Sequence, residues 1–331
     1  MIQFLADNID QLDLALDQLA VTDRNFDRFA LMLIDNVVEL TLHRFAQDQA
    51  SENDSWGRLG EPKHDPKQIQ KALGQNFDNK VKFAASSRLI TDSICESILY
   101  LHSFRNTAYH KGQRHEGILH SLAIFYFQNA CELLKSYDPK WWSWGSSDRI
   151  SHRARKYIGD PQKTVDHRKI FNRAYVRLGE ISGSMDEDLI NDLSTDMADT
   201  IDSIDEAIRF LADDSPKKES RDNVIIDCQA WSFAFTDEAK EFSATHGWRE
   251  KQVGPYVEWI AKNFNWPLKS DPIPGWRSRL ESLKKETSYH KALKKYCDFM
   301  RQTEDIRGKL VEAATQLNAH IQMQIDAARE K

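Results

Sequence analysis

The chain has 331 residues, 40% hydrophobic and 29% charged, with only 13 Gly and 9 Pro, too few for an all-β protein built from many tight turns. A formal net charge of −6 excludes a generally basic nucleic-acid binder, so any polyanion must be met by a local patch. Cys95, Cys131, Cys228 and Cys297 stand far apart with no C-x-x-C pair, which speaks against a disulfide framework or a zinc knuckle and suits a reducing cytosol.

The opening "MIQFLADNIDQLDLAL" carries acids where a signal peptide needs cations, and no run approaches the roughly 18 apolar residues of a membrane span. The expectation is a cytoplasmic protein with no membrane partner. Leu5, Ile9, Leu12, Leu16 and Leu19 form one helical stripe. After Thr22 and Asp23, suited to N-caps, a second stripe runs through Phe26, Ala30, Leu33, Val37 and Leu40. The polar stretch 51–66, with Gly and Pro, predicts a loop. Ile90, Ile94, Ile98 and Leu101 mark a third helix, and Leu119, Leu122, Tyr126, Ala130 and Leu133 a fourth. Together they predict a helical bundle over residues 1–138.

Residues 139–220 read as a Trp- and Arg-rich linker, a basic helix ("QKTVDHRKIFNRAYVRLGEI") and an acidic helix from Asp186 to Asp214. The acidic helix carries a stripe of Ile190, Leu193, Met197, Ile201, Ile204, Ile208 and Leu211. Residues 221–331 form a C-terminal helical region ending in a long helix from about Ser288 to Ala328. Within it "VIIDCQAWSFAF" fits either strand or helix, and its surroundings favour helix. The fold class is all-α.

The densest cluster of cations and titratable rings is "RNTAYHKGQRH", residues 105–115. Arg105 extends the stripe of Ile94, Ile98 and Leu101, where its charge is costly to bury unless an acidic partner or anion meets it. Asn106 and His110, four apart, share a helix face. Arg105 and His110, five apart, converge only if the backbone turns or a second copy contributes; Gly112 suits a helix terminator. Cleaving RNA without a metal needs a proton carrier that titrates near neutrality and a group that stabilises charge on phosphorus. His110 and Arg105 have those chemistries, and Asn106 would orient the imidazole. A plainer account is a helix end with a solvated cationic cluster.

Arg105-Asn106-x3-His110, set in a helical bundle, resembles the signature of the HEPN superfamily (higher eukaryote and prokaryote nucleotide-binding domains), over residues 23 to 137. The resemblance implies a metal-independent endoribonuclease that needs no cofactor. It implies a homodimer in which two motifs line one cleft, with Arg105, Asn106 and His110 as the active residues. Many members are toxins or anti-phage abortive-infection effectors, which implies RNA as substrate and a cognate antitoxin or defence-system partner. A rival set is Arg114, His115 and His120; within it His115, with Lys111 and Arg114 beside it, also suits phosphate contact.

"WWSWGSSDRISHRARK" interleaves Trp141, Trp142 and Trp144 with Arg149, Arg153 and Arg155, which suits stacking on unpaired bases beside phosphates. Equally, the Trp side chains could pin this region onto the bundle. The acidic helix places Asp192, Asp196 and Asp199 on one face, open to a metal, to a phosphate-mimicking cover over a basic cleft, or simply to solvent. No phosphate-binding glycine loop, dinucleotide turn, serine elbow or H-E-x-x-H helix is present. The competing class is a non-catalytic helical adaptor.

Overall fold

The computed structural model describes residues 1–57, 62–111, 116–143, 145, 148–159, 166–185, 188–215, 218–248 and 252–329, and of 56–57, 108–111 and 116 the backbone alone. It is all-helical, 81% helix with no strand among the described residues. The chain divides into two compact units, Met1–Leu193 with Thr287–Lys294, and Ser194–Glu286 with Lys295–Lys331. The bundle expected over 1–138 thus lies in a unit that also takes in 139–193 and eight residues near the C-terminal helix.

The first unit holds α1 (Ile2–Leu19), α2 (Arg24–Gly57), α3 (Pro66–Leu73), α4 (Phe77–Ser86), α5 (Asp92–Lys111), α6 (Leu119–Ser136), α7 (His152–Ile158) and α8 (His167–Gly183). Helix α2 is its spine, packed against α1, α3, α4, α5 and α6. The α1 stripe is wholly buried, as are Leu119, Leu122, Tyr126, Ala130 and Leu133 of α6. Helix starts follow side-chain chemistry. Asp65, Asn76, Ser151 and Asp166 each accept a backbone N–H at an N-terminus. Gly159 ends α7 at φ 69°, a left-handed conformation that glycine adopts without strain.

Two expectations change here. Ile90 lies before α5, which starts two residues later with the Thr91 hydroxyl accepting the Ile94 amide. The α2 stripe is rotated: Ala30, Leu31, Ile34, Val37 and Val38 are buried, whereas Phe26, Phe29 and Leu40 are 38%, 52% and 40% exposed. The strict seven-residue spacing of Phe26, Leu33 and Leu40 drifts around a 3.6-residue helix, and five neighbours take the other faces.

Helix α7 is clamped onto α1 by one buried carboxylate. Asp13 accepts from Arg153 Nη1 at 2.7 Å, Lys156 Nζ at 3.0 Å and the Tyr157 hydroxyl at 2.7 Å. Burial raises its pKa, but the bonds from Tyr157, Lys156 and Arg153 outweigh burial and hold it below the usual carboxylate range. A depressed carboxyl stabilises the fold above the unfolded value, about 3.9, and this contribution is lost as pH falls through the folded value. The thermal midpoint is therefore expected to drop on acidification below about pH 4, with Asp13→Asn less stable at neutral pH and flatter across that window. A wild-type profile that Asp13→Asn leaves unchanged would remove Asp13 from the acid response.

The second unit contains most of α9 (Leu189–Asp214), α10 (Arg221–Ala234), α11 (Asp237–Thr245), α12 (Val253–Asn263), α13 (Ile273–Lys284) and most of α14 (Tyr289–Arg329). "VIIDCQAWSFAF" is helical, within α10 and its C-cap, started by the Ser220 hydroxyl accepting the Asn223 amide. Ala230, Ala234, Ala239, Val257, Ile260 and Trp266 form a small core between α10, α11 and α12. The stripe of α9 is buried from Leu193 through Leu211, and Ile190 before it is half-buried. Its acids are largely engaged. Asp205 meets Arg221 at 2.6 Å and Arg277 at 2.9 Å, Asp202 meets Arg277 at 3.0 Å, and Asp196 accepts the Tyr296 hydroxyl. Among the described residues no group of three or more His, Cys, Asp or Glu is placed to hold a metal ion. No helix among them is long and apolar enough to cross a membrane.

All four thiols are free, and each is pushed above its ordinary pKa, chiefly by burial.

Candidate functional site

Helix α5 runs unbroken through the motif to Lys111. No turn brings Arg105 and His110 together within one chain: five residues place them about 140° apart around a helix. The side chains of His110 and Lys111, and residues Arg114, His115 and Trp144, lie outside the described residues.

Arg105 is met by the acidic partner its position calls for. Its Nε lies 3.4 Å from Oδ2 of Asp35 on α2, a carboxylate only 2% exposed. Its Nη1 donates to Asn106 Oδ1 at 2.9 Å. The guanidinium side chain remains 32% exposed, so it is braced from the core and still reaches solvent. Asn106 holds Arg105 through its carbonyl oxygen.

Asp35 is the hub. His102 Nδ1 approaches its Oδ1 at 2.8 Å, and the Tyr126 hydroxyl donates to the same oxygen at 2.7 Å. A carboxylate only accepts, so His102 carries its hydrogen on Nδ1. The His102 ring stacks on Phe77, with centroids 3.8 Å apart and planes at 10°. Tyr126 is wholly buried, and burial together with Asp35 pushes its hydroxyl well above the usual tyrosine range. It therefore stays a donor at every working pH. The arrangement couples α2, α5 and α6 around one charge, and sets the angle at which Arg105 leaves the surface.

The sequence alone singled out Arg105 and Asn106 and missed Asp35, His102 and Tyr126. One signal was available: Asp35 interrupts the apolar face of α2, and a carboxylate there needs a donor. His120, from the rival set, is tied through Nδ1 to buried Asp27 at 2.6 Å, which gives it a structural task.

The Trp- and Arg-rich segment divides. Trp141 is 77% exposed, whereas Trp142 packs on Phe171 with centroids 5.7 Å apart and stacks on His167. Arg153 bridges Asp13 and Asp17 at 2.7 and 2.6 Å, so it serves the α1–α7 clamp instead of facing a ligand alone. The backbone of Arg149 exchanges hydrogen bonds with the Gln3 side chain at 2.6 and 3.1 Å, while Arg155 is exposed in the last turn of α7.

A second histidine pairs with a hydroxyl: Ser97 Oγ lies 2.8 Å from His290 Nδ1. Burial holds His290 below its ordinary value. Ser97 is 1% exposed, so no substrate carbonyl reaches it as it would a serine nucleophile.

No family model matches the chain, and no curated protein or solved structure is similar enough to lend it a family, so function rests on these residues.

Proposed function

We propose that the chain is a metal-independent endoribonuclease of HEPN type, acting as a toxin or anti-phage effector. It cuts RNA by attack of the 2′-hydroxyl on the adjacent phosphate, leaving a 2′,3′-cyclic phosphate and a 5′-hydroxyl. The carrying observation is the Arg105–Asn106 pair, hydrogen-bonded at 2.9 Å and braced by buried Asp35 while the guanidinium reaches solvent. A fork of donors held in a fixed direction is what a crowded, doubly charged phosphorus requires, because no reorganisation is then needed as charge develops. His110 moves the proton from the 2′-hydroxyl or to the leaving 5′-oxygen, and Asn106 orients its ring.

The unbroken helix gives this reading a further requirement. Arg105 of one copy must work with His110 of another, so the active form is a homodimer. Phe26, Phe29 and Leu40, exposed on the helix that also carries Asp35, supply apolar surface that a second copy would cover.

A second reading is favoured by one observation. The ion pair with Asp35 gives Arg105 a reason to exist within the fold, and the chain is then a non-catalytic helical adaptor in a toxin–antitoxin or defence pair.

Incubating the pure protein with RNA and EDTA separates the two. Cleavage that survives chelation and leaves cyclic phosphate ends supports the enzyme. Intact RNA, with helical content and assembly unimpaired, sinks it in favour of the adaptor.

A further inference from the structure

Cleavage by a 2′-hydroxyl moves two protons, one off the nucleophile and one onto the leaving 5′-oxygen, and His110 accounts for only one of them. A second carrier stands beside Arg105 in the same chain. His102 and Arg105 are three residues apart on α5, so they share a face of the helix. Both reach Asp35: His102 Nδ1 lies 2.8 Å from Oδ1, and Arg105 Nε lies 3.4 Å from Oδ2.

The imidazole is held as a base is held. Asp35 only accepts, so Nδ1 carries the hydrogen and Nε2 of the neutral ring keeps its lone pair. Nε2 meets no hydrogen-bond partner among the described residues, and it is not sealed from solvent. The side chain is 18% exposed, against 2% for the carboxylate behind it. Buried Phe77 covers one face of the ring, stacked at 3.8 Å with planes at 10°, which fixes the plane and leaves the Nε2 edge uncovered. A buried carboxylate behind a histidine sets its tautomer and faces the positive charge that the ring gains with a proton.

We propose that His102 is the general base of the cleavage, a role that rests on the ribonuclease reading. Its Nε2 takes the 2′-hydroxyl proton as O2′ bonds to phosphorus. The P–O5′ bond breaks with its electron pair going to O5′, which takes a proton from His110 of another copy. Arg105, beside His102, holds the non-bridging oxygens as their charge grows, and Asp35 faces the imidazolium. Each site then draws base and charge stabiliser from one chain and the acid from the other.

The test uses the full chain in EDTA on two dinucleotides, one with the natural 5′-oxygen at the scissile bond and one with sulfur there. A thiolate leaves without a proton, so the sulfur substrate needs the base but not the acid. His102→Asn keeps a donor for Asp35 and cannot take the proton. It is expected to cut both substrates about 10²–10⁴-fold more slowly while melting close to wild type. His110→Ala should recover on the sulfur substrate. A folded His102→Asn chain that cuts the oxygen substrate at the wild-type rate overturns the proposal. So does one whose loss the sulfur substrate repairs, since His102 would then be the acid. A second measurement needs no variant. Diethylpyrocarbonate modifies an unprotonated, solvent-open imidazole nitrogen, so peptide mapping of the wild-type chain should find His102 modified and a 2′-deoxy dinucleotide should protect it. An unmodified His102 in the folded chain also overturns the proposal. A wild-type chain that cuts neither substrate rejects the ribonuclease reading and the base with it, whereas equal cutting by wild type and His102→Asn rejects the base alone.

Discussion

His110→Ala and Arg105→Ala are each expected to reduce RNA cleavage by about 10²–10⁴-fold, the range typical of losing a proton carrier or a preorganised charge stabiliser. The distinctive result comes from mixing them. If Arg105 and His110 act across two copies, a dimer of one Arg105→Ala chain and one His110→Ala chain keeps one site whole and loses the other entirely. Random reassembly makes half the dimers mixed, so two inactive preparations together should regain roughly a quarter of wild-type activity. Arg105 and His110 converging within one chain would give no recovery, and nor would a non-catalytic adaptor. The helix that continues through Lys111 is the reason to expect recovery.

Asp35→Ala is expected to cost about 3–5 kcal/mol, the range for removing one partner of a buried charged network. The loss leaves the Tyr126 hydroxyl, in a wholly buried side chain, without its acceptor, and removes the charge that faces Arg105 and His102. At about 2–4 °C per kcal/mol for a unit of this size, the melting midpoint should fall by roughly 10 °C. Tyr126→Phe should cost only about 1 kcal/mol, because the carboxylate retains its other donors. Arg105→Lys separates the two tasks of the arginine. It keeps a charge for Asp35, and so most of the stability, but loses the planar fork and with it most of the cleavage. Denaturant melts of these three variants, with a cleavage assay of Arg105→Lys, read the outcome directly. An Asp35→Ala protein as stable as wild type would mean that the hub does not organise α2, α5 and α6.

Much of the helical architecture was legible because its signals are local. The stripe Leu5 to Leu19, the run Leu119 to Leu133 and the long final helix each repeat at helical spacing, and the structure places helices on all three. The α2 register was not legible, since apolar residues occur on more than one of its faces and only the neighbouring helices decide which are covered. At the site, the sequence shows that Arg105 extends a buried face and needs an acidic partner. It does not show which acid, because Asp35 lies 70 residues away and the pairing depends on how α2 packs on α5. The acidic helix was legible as a charged outer face over a buried stripe, but the partners of its acids were not. Arg221, Arg277 and Tyr296, which meet Asp205, Asp202 and Asp196, come from elements after the helix, and local spacing does not name them.

The elevated thiols have a practical corollary. Nucleophilic attack on peroxide or iodoacetamide proceeds through the deprotonated sulfur, and Cys95, Cys131, Cys228 and Cys297 all hold their protons more tightly than a free cysteine does. In air at neutral pH the folded chain should therefore resist oxidation and alkylation at all four positions, and modification should report unfolding.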